Sequence, residues 1–150
     1  MIKKKNLLIF FILFLTNCGF YPIYSQNNNV NFSIEEIKYK GDRDINNFLK
    51  INLNKYKNSN LEDKIFIDVE SFYEKNIFNK DGTGKIKDYE LKVEVIFLIS
   101  SKNKKIKITE KKIMKNFEDK IEEARYEKSI KENFASSIST KLISELIINK

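Results

Sequence analysis

The chain predicts an α+β fold: a four-stranded sheet with two helices packed on one face, in the order β-α-β-β-β-α. Three observations carry that prediction. Apolar residues alternate with polar ones in several segments, most cleanly at Tyr89, Leu91, Val93, Val95, Phe97 and Ile99, and a period of two marks a half-buried strand. Two other segments repeat every three or four residues: Ile45, Phe48, Leu49, Asn52, Leu53 and Tyr56, then Phe134, Ala135, Ile138, Leu142 and Leu146. That is the spacing of a helix with one apolar stripe. One helical pattern falls between the first two strands and the other follows the last, so each element has one apolar face to bury in a shared layer.

In chain order, Val30, Phe32 and Ile34 begin a strand that Ile37 and Tyr39 resume after a break at Glu35-Glu36. The break predicts a bulge or an edge position. Gly41-Asp42-Arg43-Asp44 supplies a turn and a cap, with Asp42 or Asp44 accepting first-turn amides. The helix that follows is expected to end near Asn58-Ser59-Asn60. Ile65, Ile67, Val69, Ser71 and Tyr73 then share one strand face, and Phe66, Asp68, Glu70 and Phe72 the other. After the turn-forming run from Asn79 to Lys85 comes the Tyr89–Ile99 strand. Ser101-Lys102-Asn103-Lys104 predicts a hairpin turn, and a last strand runs from Ile106 to about Phe117. A helix from about Ile121 to Ile148 closes the chain, with Lys128, Lys131, Glu132 and Lys141 expected to face water or a partner.

The first residues read differently. Lys3-Lys4-Lys5 precedes the apolar run Leu7–Leu15, and Thr16 and Asn17 lead to Cys18, the single cysteine of the 150 residues. A basic start, a short apolar run and a cysteine at the cut site form a secretory signal of the lipoprotein type. The competing reading is an uncleaved membrane anchor. Nine apolar residues as a helix cover ~14 Å, against the ~30 Å of a bilayer core, so length favours cleavage. Asn17 stands where such sites usually carry Gly, Ala or Ser, which bears on how efficiently the cut is made. Residues 1–17 are thus expected to be a signal peptide, 18–30 a tether beginning at a lipid-bearing Cys18, and 31–150 a single domain. Lipidation also removes a free thiol that would be a liability in an oxidising compartment.

Composition narrows the function. The chain holds 28 Lys and Arg against 21 Asp and Glu, and loss of Lys3, Lys4 and Lys5 leaves 25 against 21, a net charge of +4. A modestly basic exported domain can meet anionic headgroups, although much of the lysine is equally ordinary solvated surface. There is no histidine, hence no commonest general base and no Ser-His or Cys-His pair. The chain is expected not to be an enzyme, to need no cofactor and to bind no nucleic acid.

One segment imitates a calcium loop. Asn79, Asp81 and Thr83 fall at positions one, three and five of twelve, Gly84 at six, Ile86 at eight and Glu90 at twelve, the pattern of oxygen donors and sharp turn in an EF-hand. The flanks argue against it. Leu91 to Phe97 is β-branched and alternates with period two, where an EF-hand requires a helix. A Gly-containing hairpin between two long strands fits better, and calcium binding through Asn79, Asp81, Thr83 and Glu90 stands as the alternative. Gly84-Lys85 lacks the remaining residues of a phosphate loop.

Cys18-Gly19-Phe20-Tyr21-Pro22-Ile23-Tyr24 resembles the start of the mature LPS-assembly lipoprotein family LptE, whose members often begin Cys-Gly-Phe-x-Pro-Leu-Tyr; Ile23 is the one conservative departure. The strand-helix-strands-helix order and the long final helix with Ala135 and the Ile138, Leu142, Leu146 ladder are similar to that family as well. The resemblance implies a lipid anchor on Cys18, a place on the periplasmic side of the outer membrane, and a non-enzymatic role. The family's members plug and help assemble a large β-barrel, LptD, and assist insertion of lipopolysaccharide into the outer leaflet. Lipid A phosphates would require clustered cations. The candidates are Lys80, Lys85 and Lys87 around the long hairpin, and Lys111, Lys112 and Lys115 on the last strand.

Overall fold

The computed structural model describes residues 30–57 and 60–148. The signal peptide, Cys18 and the tether up to residue 29 lie outside the described residues. The elements are β1 (Ser33–Gly41), α1 (Arg43–Asn54), β2 (Lys64–Lys80), β3 (Ile86–Ile99), a short 3-10 turn (Ser100–Lys102), β4 (Lys104–Lys115) and α2 (Lys120–Ile148). The four strands form one sheet in the order β1-β2-β3-β4. β1 pairs with β2 in parallel, and the other two pairings are antiparallel. This mixed sheet with two helices is the α+β class the sequence predicts. The parallel pair follows from chemistry: strands joined through a helix can return in the same direction, whereas a short hairpin reverses the chain.

Period two divides the sheet. Ile65, Ile67 and Val69 of β2, Leu91, Val93, Val95, Phe97 and Ile99 of β3, and Ile106, Ile108 and Met114 of β4 are buried. They form one core with Ile45, Leu49 and Leu53 of α1 and with Ile130, Phe134, Ala135, Ile138, Leu142, Ile143 and Leu146 of α2. Both helices therefore cover the same face of the sheet, and they pack on each other. The opposite face is left open and carries Phe66, Phe72 and Leu98 exposed among charged residues.

Local chemistry explains the boundaries. The register of β1 slips between Ile34 and Glu36, the bulge anticipated at Glu35-Glu36. β1 begins at Ser33 rather than Val30, because Ser33 is the first residue with a ladder partner, Lys64. Asp42 caps α1, its Oδ1 accepting from the Ile45 amide at 2.9 Å. That helix stops at Asn54, a turn earlier than expected. Asp119 does the same for α2, accepting from the Ile121 amide at 2.7 Å. β2 continues past Tyr73 to Lys80, since β3 pairs with it as far as Ile86. At the β3–β4 turn Asn103 sits at φ 45°, a left-handed position that Asn tolerates better than most residues.

Gly41 joins β1 to α1 at φ +102°, where a Cβ would collide with the backbone of Ser71. The β1–α1 junction touches β2 here because the Asp42 amide donates to the Ser71 carbonyl at 3.1 Å, and the Ser71 hydroxyl donates to Asn46 Oδ1 at 2.8 Å.

Candidate functional site

The six candidate lysines are all exposed, but the fold does not bring them together as a single cluster. Lys85, Lys87 and Lys115 line one shallow recess where the β2–β3 hairpin meets the end of β4. The recess is fastened by Asn116, whose amide donates to the Lys87 carbonyl at 2.9 Å and whose side chain donates to the Ile86 carbonyl at 2.9 Å. Asp81, Asp88 and Glu118 line the same recess, so its field is mixed in sign. Lys80 pairs with Ile86 across the hairpin. Lys111 lies on the open face of the sheet, where its ammonium meets Glu90 Oε2 at 3.2 Å. Lys112 is the next residue in the same strand and so points to the helix side. The three β4 lysines thus cannot act as one group: alternation splits them.

The calcium-like segment is a hairpin. Asn79 and Glu90 belong to β2 and β3, paired with Asp88 and Asn76 respectively. Asp81 is turned inward on its own loop, its Oδ1 accepting from the Thr83 amide at 2.8 Å, the Thr83 hydroxyl at 2.7 Å and the Lys85 amide at 3.0 Å. The hydrogen bonds from Thr83, ahead of those from Lys85 and Gly84, hold this carboxyl below its ordinary range. Glu90 is engaged by Lys111. Among the described residues no group of three or more His, Cys, Asp or Glu side chains comes together as a cation would need.

What the sequence did not announce is a polar seam joining the first half of α2 to the sheet. Lys75, on the inner face of β2 beyond the apolar core, donates to Glu123 Oε1 at 2.8 Å and to Glu127 Oε2 at 2.7 Å. Tyr73, two residues earlier on the same face, donates its hydroxyl to Glu127 Oε1 at 2.8 Å. The Lys120 ammonium and the Phe117 amide reach Glu123 Oε2 at 2.9 Å and 3.1 Å. Burial alone would raise the Glu123 carboxyl, but the bonds from Lys75, Lys120 and Phe117 prevail and hold it at about 2. Burial, with the bond to Glu127, pushes the Tyr73 hydroxyl far above its usual range.

Lys131 corrects an expectation. It does not face water or a partner: it is buried, 9% exposed. Its ammonium stands 4.1 Å from the Tyr73 ring centroid and 3.3 Å and 3.5 Å from carboxylate oxygens of Asp44 and Asp42. One residue thus ties α2 to the capped start of α1. The spacing from Glu123 through Glu127 to Lys131, every fourth residue on one helix face, was a visible signal, but its partners on β2 and at Asp42 are distant in sequence. Along the other side of α2, Glu110 of β4 accepts from Lys141 at 2.6 Å and Ser137 at 2.7 Å.

The open face of the sheet is a lattice of cross-strand ion pairs around its apolar residues. Lys40 meets Glu70 at 3.3 Å, Lys92 meets Glu74 at 3.3 Å, and Lys107 meets Glu94 at 2.8 Å. Such exposed pairs add little stability each. They keep hydrophilic a face that neither of the described helices covers. The arrangement can hold elements together and can present charge, and the open face is broad enough to be a contact surface.

This architecture is shared with known proteins. The rare lipoprotein B from Shewanella oneidensis aligns at 13% identity with a TM-score of 0.53, over 74% of this chain and 92% of that one. A minor lipoprotein from Acinetobacter baumannii aligns at 17% identity and 0.50, over 73% and 92%. An uncharacterized lipoprotein B from Nitrosomonas europaea aligns at 13% and 0.54, over 80% and 87%. At such identities the likeness is one of fold: four strands with two helices on one face, found in three bacterial lipoproteins. No protein-family model and no curated protein matches the chain.

Proposed function

We propose that the chain is a non-enzymatic, lipid-anchored protein of the periplasmic side of the outer membrane. It plugs and assists assembly of a large β-barrel of the LptD kind and helps deliver lipopolysaccharide to the outer leaflet. The observation that carries this reading is a conjunction. The Cys18-Gly19-Phe20-Tyr21-Pro22-Ile23-Tyr24 start precedes a domain whose fold is that of solved bacterial lipoproteins.

The surface chemistry supports a plug. A domain seated in a polar lumen must be hydrophilic outside, and the ion-pair lattice gives the uncovered sheet face that character without a helix. Lys85, Lys87 and Lys115 are the cations of the original six that come together, so they are the favoured contacts for a glycolipid phosphate. Cys18 carries the anchor in this reading.

Purification of the protein from outer membranes, with the co-purifying chain identified by mass, tests it. A stoichiometric large β-barrel is the expected companion. A protein recovered alone, or with a soluble partner, would sink the plug.

A further inference from the structure

The two halves of α2 are fastened by different chemistry. From Ile130 onward the helix is held by apolar burial: Ile130, Phe134, Ile138, Leu142 and Leu146 belong to the core. Lys131 pins the start of this half, between the Tyr73 ring and the carboxylates of Asp42 and Asp44. Before Ile130 the helix buries no apolar side chain. Across residues 120–129 only Glu123 is buried and Glu127 half-buried, and the other side chains are exposed.

Both inward residues are carboxylates, and both bind one lysine. Lys75 on β2 donates to Glu123 Oε1 at 2.8 Å and to Glu127 Oε2 at 2.7 Å, with its ammonium 4.5 Å from the Tyr89 ring centroid on β3. The Tyr73 hydroxyl completes the latch, donating to Glu127 Oε1 at 2.8 Å. Glu123 accepts its remaining bonds from Lys120 and the Phe117 amide. These stay within the helix start and the segment that leads into it, as does the Tyr126 ring against Phe117. Desolvation offsets most of what a buried ion pair contributes, whereas apolar burial stabilises in proportion to its area. The first turns of α2 are therefore tied to the sheet more weakly than the rest.

We propose that residues 120–129 form a flap that opens while the core stays folded. Lys75 and Tyr73, acting on Glu123 and Glu127, close it, and Ile130 and Lys131 are its hinge end. A released segment this short does not remain helical alone, so opening is an unwinding that stops where apolar packing begins. It bares the inner face of β2 from Tyr73 to Ile77 and the Tyr89 ring of β3, next to Ile77 and Phe78, which are exposed already. One end of the domain thereby changes shape without loss of the fold, as a sub-global opening does. The flap depends neither on the Cys18 anchor nor on a barrel partner.

Hydrogen exchange of the full-length native protein, read by mass spectrometry on overlapping peptides, tests it. Corrected for intrinsic rates, the amides of residues 124–129 should exchange at least about 100-fold faster than those of residues 134–146. Three variants separate a flap from whole-domain unfolding. Lys75→Met should speed exchange at 124–129 about tenfold or more, and Tyr73→Phe, which keeps the ring beneath Lys131, about fivefold. Leu142→Ala should speed exchange at 134–146 and leave 124–129 unchanged, since the flap opens with residue 142 still packed. Equal protection of the two segments overturns the flap, and so does a parallel response of both to Leu142→Ala. Exchange at 124–129 that ignores both Lys75→Met and Tyr73→Phe overturns it as well.

Discussion

Gly41 and Glu123 are the residues on which single atoms decide most. Gly41 holds a φ of +102° against the Ser71 backbone, so Gly41→Ala adds backbone strain and a collision at the β1–α1 junction. We expect a loss of about 2–4 kcal/mol in a urea melt, while the same substitution at Gly82, which has open space around its Cα, should cost far less. Glu123 binds its proton less readily folded than unfolded, since its carboxyl is held down from 4.5 to about 2. The unfolded chain therefore takes up the proton first as pH falls. The stability due to Glu123 is complete above its ordinary value and drains away between 4.5 and about 2. Urea midpoints measured across that interval should fall for the native protein. Glu123→Gln should start lower at neutral pH and show a shallower acid slope.

At the scale of elements, α2 is the strap of the fold. Its 29 residues carry an apolar stripe against α1 and the sheet, and a polar stripe that meets β2, β4 and the cap of α1. Leu142 is fully buried, and Leu142→Ala should cost about 2–5 kcal/mol through the cavity it leaves. Ile148→Ser, in the exposed last turn, should stay within about 0.5 kcal/mol. Equal losses in thermal melts of the two variants would contradict the packing of this helix. β4 is an edge strand with six lysines in twelve residues. Their charge protects an otherwise open ladder against pairing with other chains, which is an ample structural reason for Lys111 and Lys112. The recess lysines are a different matter. Joint replacement of Lys85, Lys87 and Lys115 by Ser should weaken lipopolysaccharide binding without lowering the melting temperature, whereas replacement of Lys111 and Lys112 should change binding less. Equal binding by all the variants would remove the recess from consideration.

The whole molecule is a slab with one covered face and one open face. The covered face is closed by two helices, over an apolar core and the polar seam of Lys75, Glu123, Glu127 and Lys131. Among the described residues no element covers the open face, and cross-strand pairs such as Lys107 with Glu94 and Lys92 with Glu74 occupy it. As a plug it would turn that face to a polar wall, and reversing charge there should disturb assembly more than folding. Replacing Lys92 and Lys107 with Glu sets like charges beside Glu74 and Glu94, on a face where Lys107 and Glu74 are exposed and Lys92 and Glu94 are half-buried. We expect a melting temperature within a few degrees of the native one and reduced recovery of the co-purifying barrel. Unaltered recovery would exclude this face from the contact.

Much of this was legible in the chain because it is local. Alternation from Tyr89 to Ile99 and the 3-4 spacing from Phe134 to Leu146 dictated which faces are buried, since a strand or helix exposes its periodicity directly. Asp42 as a cap and the slip at Glu35-Glu36 were equally local. The tertiary structure alone decided the length of β2, the gathering of Lys85, Lys87 and Lys115, and the burial of Lys131. Each of these depends on partners far along the chain: β3 extends β2 by pairing with it, and Asp42, Asp44 and Tyr73 together make a buried ammonium tolerable. A one-dimensional pattern records the face of a residue, and long-range pairing determines what that face meets.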